Sequence, residues 1–370
     1  MPRAGLLFFP SDSAAPPRRD PVTQRLRVAI ATPLSAELID RIRELEPRLE
    51  IVADQSLLPP MRHPGDHEGD PAFTRTPEQQ RAFETLLNSA EVLYGLPDED
   101  PHALSRTAAA NPQLRWVHTM AAGGGAQVKA AGLNSEQLAR IAFTTSAGVH
   151  ATPLTEFSLF GLLAGAKTLP RLHSLQRKHV WGERWMMSLI SEQTILIVGL
   201  GSIGRATARA LSQLGARVIG TSRHETTVPH VTEIIRPEAL AEVAGRIDGI
   251  VVTLPGTTAT EGLIGTDFFA ALRSGATLVN VGRGTVVNEK ALLEALDTGR
   301  VGFAALDVVV TEPLAPDNPL WSHPNVLISP HTAALNAAED RLIAELFARN
   351  ATRFLNKEPL INRVDTVEFY

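Results

Sequence analysis

A glycine-rich turn between a buried strand and a helix constrains the fold of this chain more than any other feature. The turn follows the apolar residues 195–198, and its sequence is Gly199-Leu200-Gly201-Ser202-Ile203-Gly204. A helical stretch follows and ends at Gly215, and a second strand begins at Arg217. In such a turn the first glycine permits the bend, the second lets a pyrophosphate approach the backbone, and the third allows the helix to pack closely.

This strand, turn and helix predict a dinucleotide site whose pyrophosphate lies at the helix N-terminus. The residues expected to contact the cofactor there are Gly199, Gly201, Ser202, Ile203 and Gly204. A glycine-rich loop that binds nothing is the structural alternative for a motif this short. The second strand disfavours that alternative, because the complete unit is typical of dinucleotide-binding proteins.

The two residues that follow the second strand indicate which dinucleotide binds. Ser222 stands 18 residues after Gly204, where a site for NAD usually carries an acidic residue that binds the ribose 2′-hydroxyl. Ser222 is followed by Arg223, and a guanidinium suits a 2′-phosphate in charge and geometry. The sequence therefore predicts NADP, with NAD as the alternative. An arginine exposed to solvent is the structural alternative for Arg223.

Short apolar runs alternate with helical stretches along the chain. The predicted strands of the second half are residues 194–198, 217–221, 249–254, 277–281, 303–309 and 326–329. This alternation predicts a parallel sheet with helices on both faces. In the first half, strands at 27–31 and 49–53 enclose a helix with Ser35 as its N-cap, which indicates a smaller α/β domain. The polar residues 59–77 are predicted to form a surface loop.

Length and charge limit the classes of partner. The 370 residues suffice for two domains at roughly 150 residues each. Lys and Arg number 35 against 40 Asp and Glu, a net charge of −5, so nothing favours nucleic acid or an anionic membrane. The chain has no cysteine, which leaves no disulfide and no thiolate metal site, and we expect no metal. The apolar runs are too short for a signal peptide or a membrane span, so we expect a cytoplasmic protein with a small-molecule partner.

Four further segments are more specific than a general dinucleotide fold. They are Asn280-Val-Gly-Arg283-Gly-Thr-Val-Val-Asn288-Glu-Lys-Ala-Leu292, Ala305-Leu-Asp307-Val-Val-Val-Thr-Glu312-Pro-Leu314, Asn318-Pro-Leu-Trp321 and Ser329-Pro-His331. Together with the glycine turn, they make the chain from Leu114 to about Leu335 resemble the D-isomer-specific 2-hydroxyacid dehydrogenases. Before Leu114 the resemblance is weak.

The resemblance implies a two-lobed α/β fold, in which a Rossmann-type doubly wound parallel-sheet cofactor domain is inserted in a smaller flavodoxin-like α/β substrate domain. The expected divisions are a flexible N-terminal extension at 1–24, the first part of the substrate domain at 25–150, the dinucleotide-binding domain at 151–334 and the return to the substrate domain at 335–370. The family is commonly dimeric through the cofactor domain. A homodimer is therefore implied, with the helical residues 154–175 as the dimer element.

Three candidate catalytic residues, Arg283, Glu312 and His331, each follow a predicted strand. Reduction of a 2-keto acid needs a group that holds the carboxylate, one that polarises the ketone and an acid that protonates the forming alkoxide. Arg283, between Gly282 and Gly284 where the backbone can approach both ligands, supplies the first two with one planar fork. Glu312 can accept a hydrogen bond from one imidazole nitrogen and favour the charged form of His331, whose other nitrogen delivers the proton. Purely structural roles are the alternative.

The resemblance implies three further contacts. Asp307 resembles the residue that hydrogen-bonds the nicotinamide carboxamide, and a buried residue that closes a turn is its alternative role. Ala122 and Gly123 lie in a turn after a strand, where backbone N–H groups can cup the substrate carboxylate. The alternative is that the glycines only permit the turn.

The function implied is the transfer of a hydride from NADPH to a small 2-keto acid of the glyoxylate, hydroxypyruvate or pyruvate type, which gives a D-2-hydroxy acid. Two other functions stay open: NAD-dependent oxidation of a D-2-hydroxy acid, and a dinucleotide-sensing co-repressor that binds partner peptides. The chain also departs from the usual residues of the family at Asn288, at Gly256 near the nicotinamide ribose and at 334–336. The last of these can alter the fit of the substrate.

Overall fold

The computed structural model describes residues 25–224 and 226–369, so the predicted extension at 1–24 lies outside the described residues. Its first lobe contains the parallel strands β1 (Leu26–Ile30), β2 (Leu49–Val52), β3 (Val92–Tyr94), β4 (Trp116–Thr119) and β5 (Ala142–Thr145). The helices of this lobe are α1 (Ala36–Leu45), α2 (Pro77–Asn88), α3 (Pro101–Ala110), α4 (Gly125–Ala130) and α5 (Ser135–Arg140). The strands lie in the order β2-β1-β3-β4-β5, which is the flavodoxin-like order.

Local sequence accounts for the start of the first helices. As predicted, Ser35 caps α1, whose apolar face buries Ile39 and Ile42. Thr76 caps α2 and forms a capping box with Gln79. These caps satisfy backbone N–H groups that a helix leaves without partners at its first turn.

The second lobe contains seven parallel strands, β6 (Thr194–Val198), β7 (Arg217–Thr221), β8 (Glu233–Ile235), β9 (Gly249–Val252), β10 (Ala276–Asn280), β11 (Val301–Leu306) and β12 (Val326–Ile328). Its helices are α6 (Ala151–Ala166), α7 (Leu169–Arg177), α8 (Ser202–Gln213), α9 (Leu240–Ala244), α10 (Thr266–Ala271) and α11 (Glu289–Asp297). The strand order is β12-β11-β10-β9-β6-β7-β8, so the sheet is doubly wound and its order reverses between β6 and β9. The predicted fold class is confirmed, and β8 is a strand that the sequence patterns did not predict.

The chain returns to the first lobe through α12 (Glu339–Leu355). Phe347 of this helix stacks on Trp116 with 4.8 Å between ring centroids, and Tyr94 meets Phe347 edge-on at 5.1 Å. All three side chains are fully buried. Downstream of the helix, the N–H of Val364 donates to the carbonyl of Phe143 at 2.9 Å. The C-terminal segment therefore completes the core of the first lobe.

The predicted helix at 154–175 is two helices in the structure. α6 ends at Ala166, and α7 begins after Thr168, whose φ of 52° is left-handed. Pro170 lies in the first turn of α7, where its missing N–H breaks no helical hydrogen bond but where it cannot continue a preceding helix. The proline thus explains the break. None of the helices in the described part of the chain, α6 included, has the length and apolar character to cross a membrane.

Residues 59–77 are not the plain surface loop that the sequence predicts, because part of them packs on the start of α12. Asp66 is only 4% exposed and accepts hydrogen bonds from the guanidinium of Arg62 at 2.7 and 2.8 Å. The N–H of Gly65 donates to Asp340 at 3.1 Å, and Nε2 of His67 lies 3.1 Å from the other carboxylate oxygen. These contacts join residues more than 270 positions apart, which no local pattern reveals.

Burial and pairing act in opposite directions on His67 and Asp340. Burial lowers the pKa of His67, but the hydrogen bond to Asp340 and the charges of Asp340, Glu99 and Glu339 raise this pKa above its usual value. Burial raises the pKa of Asp340, but hydrogen bonds from His67 and Gly65 bring it below its usual value. Both net shifts favour the charged forms of the pair.

Replacement of His67 should destabilise the protein in a pH-dependent way. Because the pKa of His67 is raised on folding, its contribution is complete below the unfolded value of about 6.5 and is lost as the pH rises through the folded value. We expect His67→Gln to lower the free energy of unfolding at about pH 6 by about 1.5–3 kcal/mol, and by much less at about pH 9. Urea unfolding at both pH values measures this, with His102→Gln at an exposed position of α3 as control. An equal loss at both pH values would contradict a charged pair.

Candidate active site

The carboxyl ends of the seven strands of the second sheet lie at one edge, because all pairings are parallel. Arg283 follows β10, Glu312 follows β11 and His331 follows β12, and these three strands are neighbours. Gly199 follows β6, beside the reversal of strand order where doubly wound sheets bind ligands. The candidate catalytic residues and the glycine turn therefore share an edge. Among residues 25–224 and 226–369, no group of three or more histidine or carboxylate side chains is placed to hold a metal ion.

His331 and Glu312 form a close pair. Nδ1 of His331 lies 2.7 Å from Oε2 of Glu312, and the N–H of Val309 donates to Oε1 at 3.2 Å. His331 has a left-handed φ of 55°, and its N–H donates to the carbonyls of Asp307 and Ser329 at 2.9 Å each. Such a backbone conformation is uncommon outside glycine and is often found at functional sites. The two side chains are 45% and 37% exposed, so solvent reaches the pair, and Nε2 takes no part in it.

Asp307 holds the loop that carries His331. It is 3% exposed, and its Oδ1 accepts from the hydroxyl of Ser329 at 2.6 Å and from the N–H groups of Thr332 and Ala333 at 3.0 and 2.9 Å. Three donors at one carboxylate oxygen support the turn-closing role. A contact from Asp307 to the nicotinamide carboxamide would use Oδ2, and that role stays a prediction.

Arg283 stands between two glycines that pack closely against neighbouring backbone. A Cβ on Gly282 would lie 2.6 Å from the carbonyl oxygen of Leu254, and a Cβ on Gly284 would lie 1.9 Å from the carbonyl carbon of Val309. From the sequence, these glycines are expected to let the backbone approach substrate and cofactor. In the structure they approach the protein's own backbone, so the turn that carries Arg283 is held from two sides.

The guanidinium of Arg283 reaches the first lobe. Its Nη1 donates to the carbonyl of Gly282 at 2.8 Å, and a Cβ on Gly123 would lie 3.4 Å from Nη2. A Cβ on Gly256 would lie 3.3 Å from Cβ and Cγ of Arg283, so the missing side chain at this position leaves room for the arginine stem. The structure thus brings together two residues predicted to bind the substrate, Arg283 and Gly123, from different lobes.

Ala122 and Gly123 are exposed in the turn after β4. The next residue, Gly124, is buried, and a Cβ there would lie 1.8 Å from Oγ1 of Thr119. One glycine of this turn is therefore required by packing. The exposed backbone at 122 and 123 leaves their binding role as a prediction.

A chain of buried hydrogen bonds lies at the foot of this turn. Nε1 of Trp116 donates to Oγ1 of Thr144 at 2.8 Å, and this oxygen lies 2.8 Å from Nδ1 of His118. Nε2 of His118 lies 3.2 Å from Oγ of Ser146, which donates to the carbonyl of Thr119 at 3.1 Å. Burial lowers the pKa of His118 to about 3, so the ring is neutral at pH 7. Because Ser146 uses its hydrogen on Thr119, Nε2 is the protonated nitrogen.

The glycine turn has the geometry that the sequence predicts. Gly199 has a φ of 108°, and a Cβ on Gly204 would lie 2.0 Å from the carbonyl oxygen of Gly199. Around Gly201 the space is open: apart from its neighbours in the chain, no described atom lies within 4 Å of a Cβ built there. The first two residues of α8 are Ser202 and Ile203, and no side chain of the described residues caps this helix. Its first N–H groups are therefore available to an anion, which fits a bound pyrophosphate.

Three polar residues that the sequence analysis missed hold the turns of the site. Thr221, the last residue of β7, accepts from the N–H of Gly199 at 3.0 Å, and Thr253 donates to the carbonyl of Gly199 at 2.8 Å. Asn280, the last residue of β10, donates to the carbonyl of Arg283 at 3.1 Å. Each lies at or just past the carboxyl end of a strand, and that position is the signal that could have found them.

Ser222 and Arg223 follow β7 at the expected edge. Ser222 is half-buried and its hydroxyl accepts from the N–H of His224 at 3.2 Å, while Arg223 is exposed. Their backbone continues the sheet, because the N–H of Ser222 donates to the carbonyl of Ile235 at 3.0 Å. Recognition of a 2′-phosphate by these residues stays a prediction.

The chain is similar in sequence to known proteins. Residues 159–333 match the family model described as D-isomer specific 2-hydroxyacid dehydrogenase, NAD binding domain. The chain is 31% identical to a glyoxylate reductase/hydroxypyruvate reductase of Mus musculus over 284 residues. This alignment covers 74% of this chain and 84% of that protein. It is 37% identical to a glyoxylate/hydroxypyruvate reductase A of Serratia proteamaculans over 161 residues. This alignment covers 43% of this chain and 51% of that protein.

Two solved structures are similar to nearly the whole chain. One is a D-isomer specific 2-hydroxyacid dehydrogenase from Xanthobacter autotrophicus Py2 in complex with NADPH and MES, with a TM-score of 0.72 and 28% identity. The other is an NADPH-dependent glyoxylate/hydroxypyruvate reductase from Sinorhizobium meliloti in complex with NADP and sulfate, with a TM-score of 0.71 and 25% identity. Each comparison covers 94% of this chain and 100% of the other.

Substitution of Gly284 tests how tightly the turn of Arg283 is packed. A methyl group there would meet the backbone of Val309, which cannot move aside as the end of a side chain can. We expect Gly284→Ala to lower the free energy of unfolding by about 1–3 kcal/mol, measured in urea. Gly245→Ala is the control, because its Cβ would lie 3.6 Å from the nearest atom, the carbonyl oxygen of Ala271. Equal stability of the two variants would show that the contact at Gly284 is not tight.

Proposed function

Because the chain belongs to the D-isomer specific 2-hydroxyacid dehydrogenase family, it interconverts a 2-keto acid and a 2-hydroxy acid with NADP or NAD, and we propose that it works as an NADPH-dependent reductase. The proposed substrate is a small 2-keto acid of the glyoxylate, hydroxypyruvate or pyruvate type, and the product is the D-2-hydroxy acid. The contact of 2.7 Å between His331 and Glu312, at the edge that also carries Arg283, is the observation that carries this proposal. The names of the similar reductases support the substrate class.

In the proposed reaction the two lobes hold the keto acid between them. Arg283 binds the carboxylate and polarises the neighbouring ketone, and the N–H groups at Ala122 and Gly123 bind the carboxylate from the other lobe. A bound NADPH would supply the hydride that the keto carbon accepts. His331 delivers a proton from Nε2 to the ketone oxygen as it becomes an alkoxide, while Glu312 holds Nδ1 and stabilises the charged ring.

The cofactor site is proposed to favour NADPH over NADH. The open N–H groups at Gly201, Ser202 and Ile203 receive the pyrophosphate, and Ser222 with Arg223 receives the 2′-phosphate. The solved structures from Xanthobacter autotrophicus and Sinorhizobium meliloti, which contain NADPH and NADP, support this preference.

We further propose a homodimer that buries apolar surface on α6, α7 and the segment after them. Apolar side chains more than a third exposed there are Phe160, Leu163, Leu172, Val180, Trp181, Met186, Met187 and Leu189. Monomeric proteins seldom expose so much apolar surface in one region. Light scattering should give twice the mass of one chain, and the mass of one chain would overturn the proposal.

A screen of the purified protein tests the proposed function. NADPH and NADH are each offered with a panel of small 2-keto acids, and NAD and NADP with D-2-hydroxy acids. We expect NADPH to be consumed with at least one keto acid, and faster than NADH. Turnover with NAD and a hydroxy acid alone would favour the oxidative alternative. Dinucleotide binding without turnover would favour the co-repressor alternative.

Replacement of the proposed acid should remove turnover and leave cofactor binding intact. We expect His331→Ala to lower kcat by roughly 10²–10⁴-fold, the usual contribution of a general acid. Glu312→Gln keeps a hydrogen-bond acceptor but loses the charge that stabilises the imidazolium, so its loss of kcat should be smaller but measurable. NADPH affinity should stay near that of the wild type in both variants. His102→Ala, at an exposed histidine of α3, is the control; an active His331→Ala variant would exclude the acid role.

Replacement of Arg283 by lysine separates a substrate clamp from an ion pair between lobes. A lysine keeps the charge but cannot form both contacts of the planar fork. We expect Arg283→Lys to raise KM for the keto acid and lower kcat, while NADPH affinity measured without substrate is unchanged. Near-normal kcat/KM, or a loss of cofactor affinity instead, would refute the clamp.

A further inference from the structure

The ends of β7 and β8 place a second arginine beside the segment that follows β7. The two strands are parallel, with Gly220 opposite Ile234 and Thr221 opposite Ile235. The N–H of Ser222 donates to the carbonyl of Ile235, which extends the pairing by one residue. The residues that follow each strand, Ser222 with Arg223 and Arg236, therefore leave the sheet side by side.

The side chain of Arg236 reaches the segment that follows β7. Its Nη1 donates to the backbone carbonyl of Arg223. Arg236 is exposed, and none of the ion pairs within 25–224 and 226–369 includes it. Its guanidinium therefore adds a positive charge next to Ser222 and Arg223.

The other end of the same two strands is arranged differently. Arg217 at the start of β7 and Arg246 both pair with Glu233 at the start of β8, and Nη1 of Arg246 lies 2.8 Å from the carboxylate. The negative charge of one carboxylate thus partly offsets the positive charges of two arginines at the edge remote from the dinucleotide site. At the edge that carries the site, Arg236 donates to a neutral carbonyl, which leaves its charge for an anion.

We propose that Arg236 is a second determinant of the choice between NADP and NAD, through a contact of its guanidinium with the 2′-phosphate. The inference rests on the proposed NADPH preference and adds a residue from a strand that the sequence patterns missed. A phosphate has three acceptor oxygens, so it can bind Ser222, Arg223 and Arg236 together. A 2′-hydroxyl carries no charge, so NADH gains little from the second arginine.

A purely structural role for Arg236 is the alternative, since its hydrogen bond to the carbonyl of Arg223 could only hold the turn. Two substitutions separate the roles. Arg236→Gln keeps an N–H donor for the carbonyl but removes the charge, and Arg236→Lys keeps the charge but loses the planar fork. Arg217→Gln, at an exposed arginine on the other end of β7, is the control for the change in net charge.

The test measures binding to the full chain without keto acid. Titration calorimetry gives the Kd of NADPH, NADH, adenosine 2′,5′-bisphosphate and adenosine 5′-monophosphate for each variant. We expect Arg236→Gln to weaken NADPH and the bisphosphate by roughly 10- to 100-fold, as for the loss of a charged hydrogen bond. NADH and the monophosphate should change less than about twofold, which also shows that the variant is folded. Arg236→Lys should keep part of the affinity, and Arg217→Gln nearly all of it.

The outcomes distinguish this inference from the proposed function. If the wild type binds NADPH and NADH alike, the proposed NADPH preference fails and the inference fails with it. If the wild type prefers NADPH and Arg236→Gln keeps that preference, only the role of Arg236 is overturned. Equal weakening of NADPH and NADH by Arg236→Gln would assign it the structural role and also overturn the inference.

Discussion

No side chain fits between the turn that carries Arg283 and the loops on either side of it. Gly282 packs on the backbone of Leu254, which follows β9, and Gly284 packs on Val309, which follows β11. Contacts between backbones cannot relax by a change of rotamer, so neither neighbouring loop can shift toward the turn of Arg283 without displacing it. Arg283 and the loop of Glu312 are therefore coupled before any ligand binds. This coupling suits a site that must hold a substrate and a proton donor in one geometry.

The first lobe depends on the connections between the lobes for its place in the site. His150, just before α6, lies 2.9 Å from Glu339, the first residue of α12, so the two chain crossings are joined. A Cβ on Gly65 would lie 2.9 Å from the other carboxylate oxygen of Glu339, which places the 59–77 loop over this contact. The approach of Gly123 to Arg283 requires the lobes to keep this arrangement. This partly buried loop thus supports the junction between the lobes, across which Gly123 approaches Arg283.

The sequence predicts those parts of the site that depend on local order, and it misses those that depend on distant contacts. The glycine turn, Arg283, Glu312 and His331 stand at strand ends within recognisable segments, so their positions follow from the strand pattern. The three bonds to Oδ1 of Asp307 come from a loop more than 20 residues away, and no pattern of polarity indicates them. The contact of Asp340 with residues 65–67 crosses most of the chain. β8 was missed because its three residues are only half-buried and show no clear apolar run.

Histidine meets a carboxylate within 3.1 Å at three places in the described part of the chain, and burial decides what each pair can do. In the pairs His67–Asp340 and His150–Glu339 every side chain is 14% exposed or less. A proton there has no open path to a substrate, so these pairs hold segments together. The His331–Glu312 pair has the shortest contact of the three, yet its side chains are 45% and 37% exposed. A proton donor needs both a fixed geometry and access to the reacting atom, and of these three pairs only this one combines a held ring nitrogen with an accessible ring.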